Sequence, residues 1–246
     1  MLLSAEQLSK SCGTRVLLDG ASLYLERGDK VGVVGLNGAG KSTLLRLLSG
    51  AEEPDGGTVR LDPNVRLEYL PQNPVFPGEH TVLEQVVLGL SGDDRALAEY
   101  EGKMILSRLG VSRFDQPVGQ LSGGERRRVA LAAVLSRPCD VLVLDEPTNH
   151  LDSDMVLWLE DYLKKWKGAL AMVTHDRYFL ERIVTRIAEV EDGRLFFYEG
   201  NYDKYLSRKA ERLEQEKAGE RKRQALLRRE YQWVMQGPTA RGTKSR

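Results

Sequence analysis

Only two cysteines and three histidines occur among the 246 residues. Cys12 and Cys139 stand far apart with no metal-ligand spacing, which argues against a disulfide framework or a zinc site and leaves two free thiols. No run approaches the roughly 18–20 uninterrupted apolar residues that a membrane-spanning helix needs. The opening Met1-Leu2-Leu3-Ser4-Ala5-Glu6 lacks a basic segment followed by an apolar stretch, so no secretory leader is expected and the reading is cytoplasmic, with no membrane partner. Net charge is missing as well, with 36 Lys and Arg against 36 Asp and Glu. That balance hides an asymmetry: residues 201–246 carry 13 basic and 6 acidic residues, leaving 23 and 30 for residues 1–200. The two stretches are therefore taken as separate units, 1–200 a globular domain and 201–246 a basic extension. With 41% hydrophobic residues the first is large enough for a real core.

Along residues 1–200, short β-branched or Leu-rich runs alternate with helical patterns. Lys30–Gly35, Val141–Asp145 and Ala169–Thr174 read as strands, each followed by a helix, which is the rhythm of a parallel sheet. Val141-Leu142-Val143-Leu144 is apolar throughout, as suits a strand covered on both faces. Ile187–Glu191, Asp192-Gly193 and Arg194–Tyr198 have the grammar of a β-hairpin. Residues 81–110 read as a small helical subdomain with Thr81 as a cap and a break at Gly92-Asp93-Asp94. From Tyr202 to Val234 there is no Pro and one Gly, and Glu, Lys, Arg, Leu and Ala dominate, so a long and mostly solvated helix is expected. The tail Thr239–Arg246 is polar and basic, and mobility is expected there unless a partner orders it.

Gly35-Leu36-Asn37-Gly38-Ala39-Gly40-Lys41-Ser42 matches GxxxxGK[ST] between an expected strand and an expected helix over Thr43–Ser49. In such a loop the backbone N–H groups wrap phosphate oxygens and the helix N-terminus adds unsatisfied donors, so Gly35 to Thr43 form the expected phosphate site. Lys41 would reach the β- and γ-phosphates and Ser42 would ligate Mg²⁺. A second expected strand ends in Asp145-Glu146, where open α/β sheets bind ligands. Asp145 suits the Mg²⁺ shell and Glu146 suits polarisation of an attacking water. Leu121-Ser122-Gly123-Gly124-Glu125 precedes a helix expected over Arg126–Ser136. Ser122 and Glu125 read as a capping box, and the glycines beside them leave N–H donors exposed for a phosphate; both readings hold together. Arg126-Arg127-Arg128 reads as a solvated helix face.

The set GLNGAGKST, LSGGE and VLVLDEP resembles the signature motifs of ABC ATPases over about residues 1–200. The resemblance implies an α/β P-loop fold with a parallel-sheet core, an antiparallel β subdomain and a small helical subdomain. It implies ATP and Mg²⁺ as ligands, and a composite site in which Ser122, Gly123 and Gly124 meet the γ-phosphate of ATP held by a second ABC domain. It also implies that Gln72 touches Mg²⁺ and the attacking water, that His175 in Val173-Thr174-His175-Asp176 reads the γ-phosphate, and that Asn149-His150-Leu151-Asp152 couples two such sites. One departure is Cys12 in Lys10-Ser11-Cys12-Gly13-Thr14, where ABC ATPases usually stack the adenine on an aromatic ring.

Glu146–Asp152, Thr174–Leu180 and Glu199-Gly200-Asn201-Tyr202 leading into a basic helix resemble the ABC-F family, in which two ABC domains share one chain through a helical linker and no membrane domain exists. Tyr231-Gln232-Trp233 with Gly237-Pro238-Thr239-Ala240-Arg241 looks most like its Uup-type branch. On that resemblance the chain is the N-terminal half of a longer protein, a translation factor that binds the ribosome and its tRNA and rRNA when ATP closes it and leaves on hydrolysis. The alternatives are a motor subunit of a membrane transporter and a DNA-handling ATPase. The interval from Gln72 to Leu121 is too short for a large ribosome-contacting arm.

Overall fold

The computed structural model describes residues 1–76 and 78–235, so the mobility expected of Thr239–Arg246 and the pattern after Gly237 lie outside the described residues. Two compact units divide the chain, one over Met1–Tyr202 and a second that begins at Asp203.

The first unit holds two sheets. Strands β1 (Leu3–Cys12), β2 (Arg15–Leu25) and β4 (Gly56–Leu61) form an antiparallel sheet in the order β2-β1-β4. The other sheet has six strands in the order β5-β6-β7-β3-β8-β9, from β3 (Lys30–Gly35), β5 (Leu67–Leu70), β6 (Val141–Asp145), β7 (Ala169–Val173), β8 (Arg186–Glu191) and β9 (Arg194–Glu199). It is parallel except for β9, which returns antiparallel through the Asp192-Gly193 turn. Every residue of β6 and β7 is buried, which accounts for their continuous apolar sequence.

Helix α1 (Lys41–Leu48) buries Leu44, Leu45, Leu47 and Leu48 in one core with Leu3, Leu8, Leu18, Leu23 and Leu25 of the antiparallel sheet and Val31, Val33, Val141 and Val143 of the larger one. Helix α6 (Arg177–Ile183) packs on Gly32 of β3, where a Cβ would lie 2.9 Å from Leu180 Cδ2 and 3.0 Å from Val184 Cγ1. Gly32 is thus the residue that lets the helix approach the sheet.

Helices α2 (Val82–Val86), α3 (Gly92–Arg108) and α4 (Gly123–Ser136) pack together as the helical subdomain. Thr81 caps α2 with a reciprocal bond to Glu84. The break expected at Gly92-Asp93-Asp94 is displaced: those residues open α3, and the chain turns before them between Val87 and Ser91. The physical reason is that Asp93 and Asp94 suit the positive end of a helix as well as they suit a loop.

In the second unit α7 (Tyr202–Met235) is continuous for 34 residues, on the order of 50 Å at the usual rise per residue. Leu206, Leu226, Leu227 and Tyr231 on it are exposed, in keeping with the mostly solvated helix expected. Arg221, Lys222, Arg223, Arg228 and Arg229 are exposed too.

Candidate functional site

Parallel order brings the C-terminal ends of β3, β7 and β6 side by side. Val33 of β3 pairs with Val173 of β7, and Val173 pairs with Asp145 of β6. The loops that leave these ends carry the phosphate loop, His175 and Glu146, so neighbouring strands gather residues distant in sequence. Leu70, which pairs with Leu144, ends β5 and leads to Gln72.

Together these ends floor a cleft of about 530 Å³. Asn37, Gly38, Gly40, Lys41, Ser42 and Thr43 line it from the phosphate loop, Asp145, Glu146, Val173 and His175 from the strand ends, and Gln72 from the wall. Cys12, Arg15 and Leu17 line it from the β1–β2 hairpin. Gly35, Leu36 and Ala39 belong to the same loop but do not line the cleft; Ala39 N–H donates to Leu36 O at 3.1 Å, which holds the loop's curl.

Two glycines are required by the loop's path. At Gly35 (φ 148°) a Cβ would lie 2.5 Å from Val190 O, and at Gly40 (φ 108°) it would lie 3.0 Å from Leu17 O. Gly40 also supplies no side-chain cap to α1, so the first-turn N–H groups face the cleft without a competing acceptor. Lys41 Nζ folds back onto the loop and donates to Gly35 O at 2.9 Å and Leu36 O at 3.0 Å. Burial lowers its pKa, and the nearby charges of Glu146 and Asp145 work against that.

Asp145 is 1% exposed, and the Ser42 hydroxyl lies beside its carboxylate without a well-formed hydrogen bond to either oxygen. Burial raises its pKa; the Ser42 hydroxyl beside it and the charges of Arg127, Arg46 and Lys41 oppose the rise. Glu146 is 3% exposed and takes a positive φ of 54°. It is held by its own N–H donating to Val173 O at 2.8 Å and by His175 N–H donating to its Oε2 at 3.3 Å. His175 Nε2 stands 3.4 Å from Glu146 Oε1. Burial raises the pKa of Glu146 in spite of His175. Behind it the Thr148 and Thr174 hydroxyls bond at 3.0 Å, tying the two strand ends together.

Arg127 corrects the solvated reading of Arg126–Arg128. Its guanidinium donates to Asp145 O at 3.4 Å and Glu146 O at 3.1 Å, and it is half-buried, with a pKa lowered by burial. Arg126 bonds Leu121 O at 3.1 Å, and Arg128 Nε is buried. Each arginine faces a different direction around α4, so a run of three does not form one face.

Ser122, Gly123 and Gly124 do not line the cleft. They form the start of α4, where Ser122 Oγ accepts from Glu125 N–H at 3.3 Å and Glu125 Oε2 accepts from Ser122 N–H at 2.9 Å. His150, at φ 64°, lies next to Gly124, where a Cβ would make ordinary van der Waals contact with the His150 Cβ at 3.5 Å. Asp152 caps helix α5 (Ser153–Lys165) through Met155 N–H at 2.9 Å.

Arg15 and Leu17 had no place in the sequence reading, which gave Arg127 only a solvated face and Val173 only a place before His175. Arg15 and Leu17 enter through the two-residue turn Gly13-Thr14, which pairs Cys12 with Arg15; that turn was their one visible signal.

Residues 18–149 match the model of the ABC transporter family, and residues 188–246 match a second model with the same description. The chain is 40% identical over 282 residues to the uncharacterised ABC transporter ATP-binding protein YfmR of Bacillus subtilis, covering 100% of this chain and 45% of YfmR. It is 37% identical over 270 residues to the energy-dependent translational throttle protein EttA of Escherichia coli K12, covering 94% of this chain and 49% of EttA. The chain thus spans about half the length of the curated relatives it matches. Among solved structures, an ATP-binding subunit of an ABC transporter superposes with a TM-score of 0.72 at 24% identity, covering 82% of this chain and 91% of that one. The dimeric post-hydrolysis state of the ATP-binding cassette MJ0796, bound to ADP and Pi, superposes with a TM-score of 0.68 at 26% identity, covering 80% and 98%.

Proposed function

The chain belongs to the ABC transporter family of ATP-binding domains, and from that premise we propose that it hydrolyses ATP in a site completed by a second such domain, and that it does so as an ABC-F protein acting on the ribosome. The observation that carries the composite site is the separation of Ser122–Gly124 from the cleft of their own chain. Their exposed turn offers N–H donors at a helix N-terminus, which suits the γ-phosphate of a nucleotide held elsewhere.

Within the cleft the N–H groups of Asn37, Gly38 and Gly40 to Thr43 would hold the polyphosphate, with Lys41 leaving its two carbonyls to neutralise it. The unpartnered oxygens of Asp145, with the Ser42 hydroxyl beside them and the Gln72 amide in the wall, suit a hard divalent cation. These residues would hold Mg²⁺, which when bound would draw charge from the phosphoryl oxygens. Glu146, buried and raised in pKa, would orient a water and accept its proton. His175 would steady Glu146 and reach the γ-phosphate from the same strand end.

The ribosomal reading is supported by the 34-residue helix with its exposed Arg221-Lys222-Arg223 and Arg228-Arg229, and by the translational role in the name of the EttA relatives. Exposed cations of this kind suit an RNA phosphate backbone, through contacts whose affinity falls with salt. The Uup-type branch rests on Tyr231 to Arg241 and is proposed on that sequence alone. Among the described residues no helix is long and apolar enough to cross a membrane.

The test is co-sedimentation with ribosomes, with and without MgATP, of the protein carrying this chain with Glu146→Gln and the matching change in its second domain. MgATP-dependent capture is expected. Absence of capture with MgATP binding intact would reject the ribosomal reading; recovery with membranes or branched DNA would replace it.

A further inference from the structure

We propose that Arg15 is a second cationic contact for the nucleotide's phosphates, reaching them from the hairpin side of the cleft. This rests on the nucleotide reading of the cleft and goes beyond it, because the motifs that identify the phosphate site do not include Arg15. The Gly13-Thr14 turn places Arg15 opposite Cys12 at the mouth of the cleft. Its guanidinium lies over the phosphate loop: a Cβ on Gly38 would be 3.2 Å from Nη1 and 3.9 Å from both Cζ and Nη2. The bare backbone at Gly38 thus lets the guanidinium come close to the loop.

The other cations near the site are already engaged. Lys41 donates to two loop carbonyls, Arg127 to the carbonyls of Asp145 and Glu146, and Arg46 to Glu52 and the Thr43 hydroxyl. The Arg15 guanidinium makes no hydrogen bond or ion pair with any described residue. A planar guanidinium with unspent donors, lying near a loop whose N–H groups suit phosphate, matches a phosphate's oxygens in bidentate fashion. Its closeness to Gly38 of the phosphate loop assigns it to the phosphates and not to the base. With Cys12 offering no ring across the turn, a larger share of affinity falls to the phosphate end.

The experiment is calorimetric titration of MgATP and MgGTP into the chain, its Arg15→Ala variant and its Arg15→Lys variant. Arg15 is exposed, so its removal takes no packing from the fold, and unchanged melting of both variants verifies this. Arg15→Ala is expected to weaken MgATP and MgGTP by the same factor, about tenfold for loss of a charged hydrogen-bonding partner at an exposed site. Arg15→Lys should restore part of that loss, since it keeps the charge without the fork. Unchanged affinity in Arg15→Ala would overturn the inference alone. A changed ATP-to-GTP ratio would also overturn it, by moving Arg15 to the base. Failure of the unaltered chain to bind either nucleotide would instead overturn the proposed function, and this inference with it.

Discussion

Replacing Asp145 by Asn is expected to stabilise the nucleotide-free chain and to abolish most of its stabilisation by MgATP. The Asp145 carboxylate is 1% exposed with both oxygens unpartnered, at the floor of an open cleft. Removing a carboxylate from water without full hydrogen bonding costs several kcal/mol, and the Ser42 hydroxyl and the charges of Arg127, Arg46 and Lys41 return part of it. An Asn of the same shape removes the charge but still leaves a polar amide there, so a net gain of about 1 kcal/mol is expected. For a domain of this size that is a rise of about 2–4 °C in Tm. The pH dependence follows from the direction of the shift. Because burial holds the folded-state pKa of Asp145 above its unfolded value, the cost is fully present above the folded pKa and absent below the unfolded one. The advantage of Asp145→Asn should therefore shrink as pH falls through the carboxylate range. With MgATP at a hundred times its Kd the unaltered chain should gain about 2.7 kcal/mol, and the variant much less, so the order of stabilities reverses. Melting curves with and without MgATP, near neutral pH and in the carboxylate range, read all three effects. A nucleotide-free variant that melts below the unaltered chain at neutral pH, or one that keeps the full MgATP shift, would refute the reasoning.

Glu146→Gln should slow ATP turnover by about a hundredfold or more while MgATP binding persists, as for loss of a positioned base. In the unaltered protein the acid limb of the rate should lie above the ordinary glutamate range, because burial raises the Glu146 pKa and activity requires the carboxylate; a limb at the ordinary value would contradict this. Cys12→Tyr should tighten ATP by about 1–3 kcal/mol through base stacking and shift the ATP-to-GTP ratio, and titration showing neither would remove position 12 from the base site. Reversing the charges of Arg221, Lys222, Arg223, Arg228 and Arg229 should weaken ribosome or RNA binding and flatten its salt slope. An untouched slope would mark the five as a merely solvated helix face.

What was legible in the sequence is what is encoded locally. The strand, glycine loop and helix from Lys30 to Leu48 are contiguous, and β6 announces itself by an apolar run that both faces of the sheet require. The capping box at Ser122 is likewise a four-residue signal. What the sequence missed depends on distant partners or on helical phase. Arg127 touches the Asp145 and Glu146 carbonyls only because α4 turns that one side chain of three toward the strand end. Arg15 reaches Gly38 only because a hairpin folds over the loop from the other sheet. Gly92-Asp93-Asp94 was ambiguous for a different reason, since acidic residues serve a loop and a helix N-terminus equally. That Ser122 starts a helix could be read directly; that it stands apart from its own cleft could not, because the position of α4 is set by its packing on α2, α3 and β5.

The most direct test of the composite site is ATP turnover per chain measured across a range of concentrations of the isolated 246-residue chain. If Ser122–Gly124 act on a nucleotide held by another domain, turnover per chain should be slow when dilute and rise with concentration as chains meet. Fast turnover that does not depend on concentration would contradict the account, because it would mean that a single chain completes its own site.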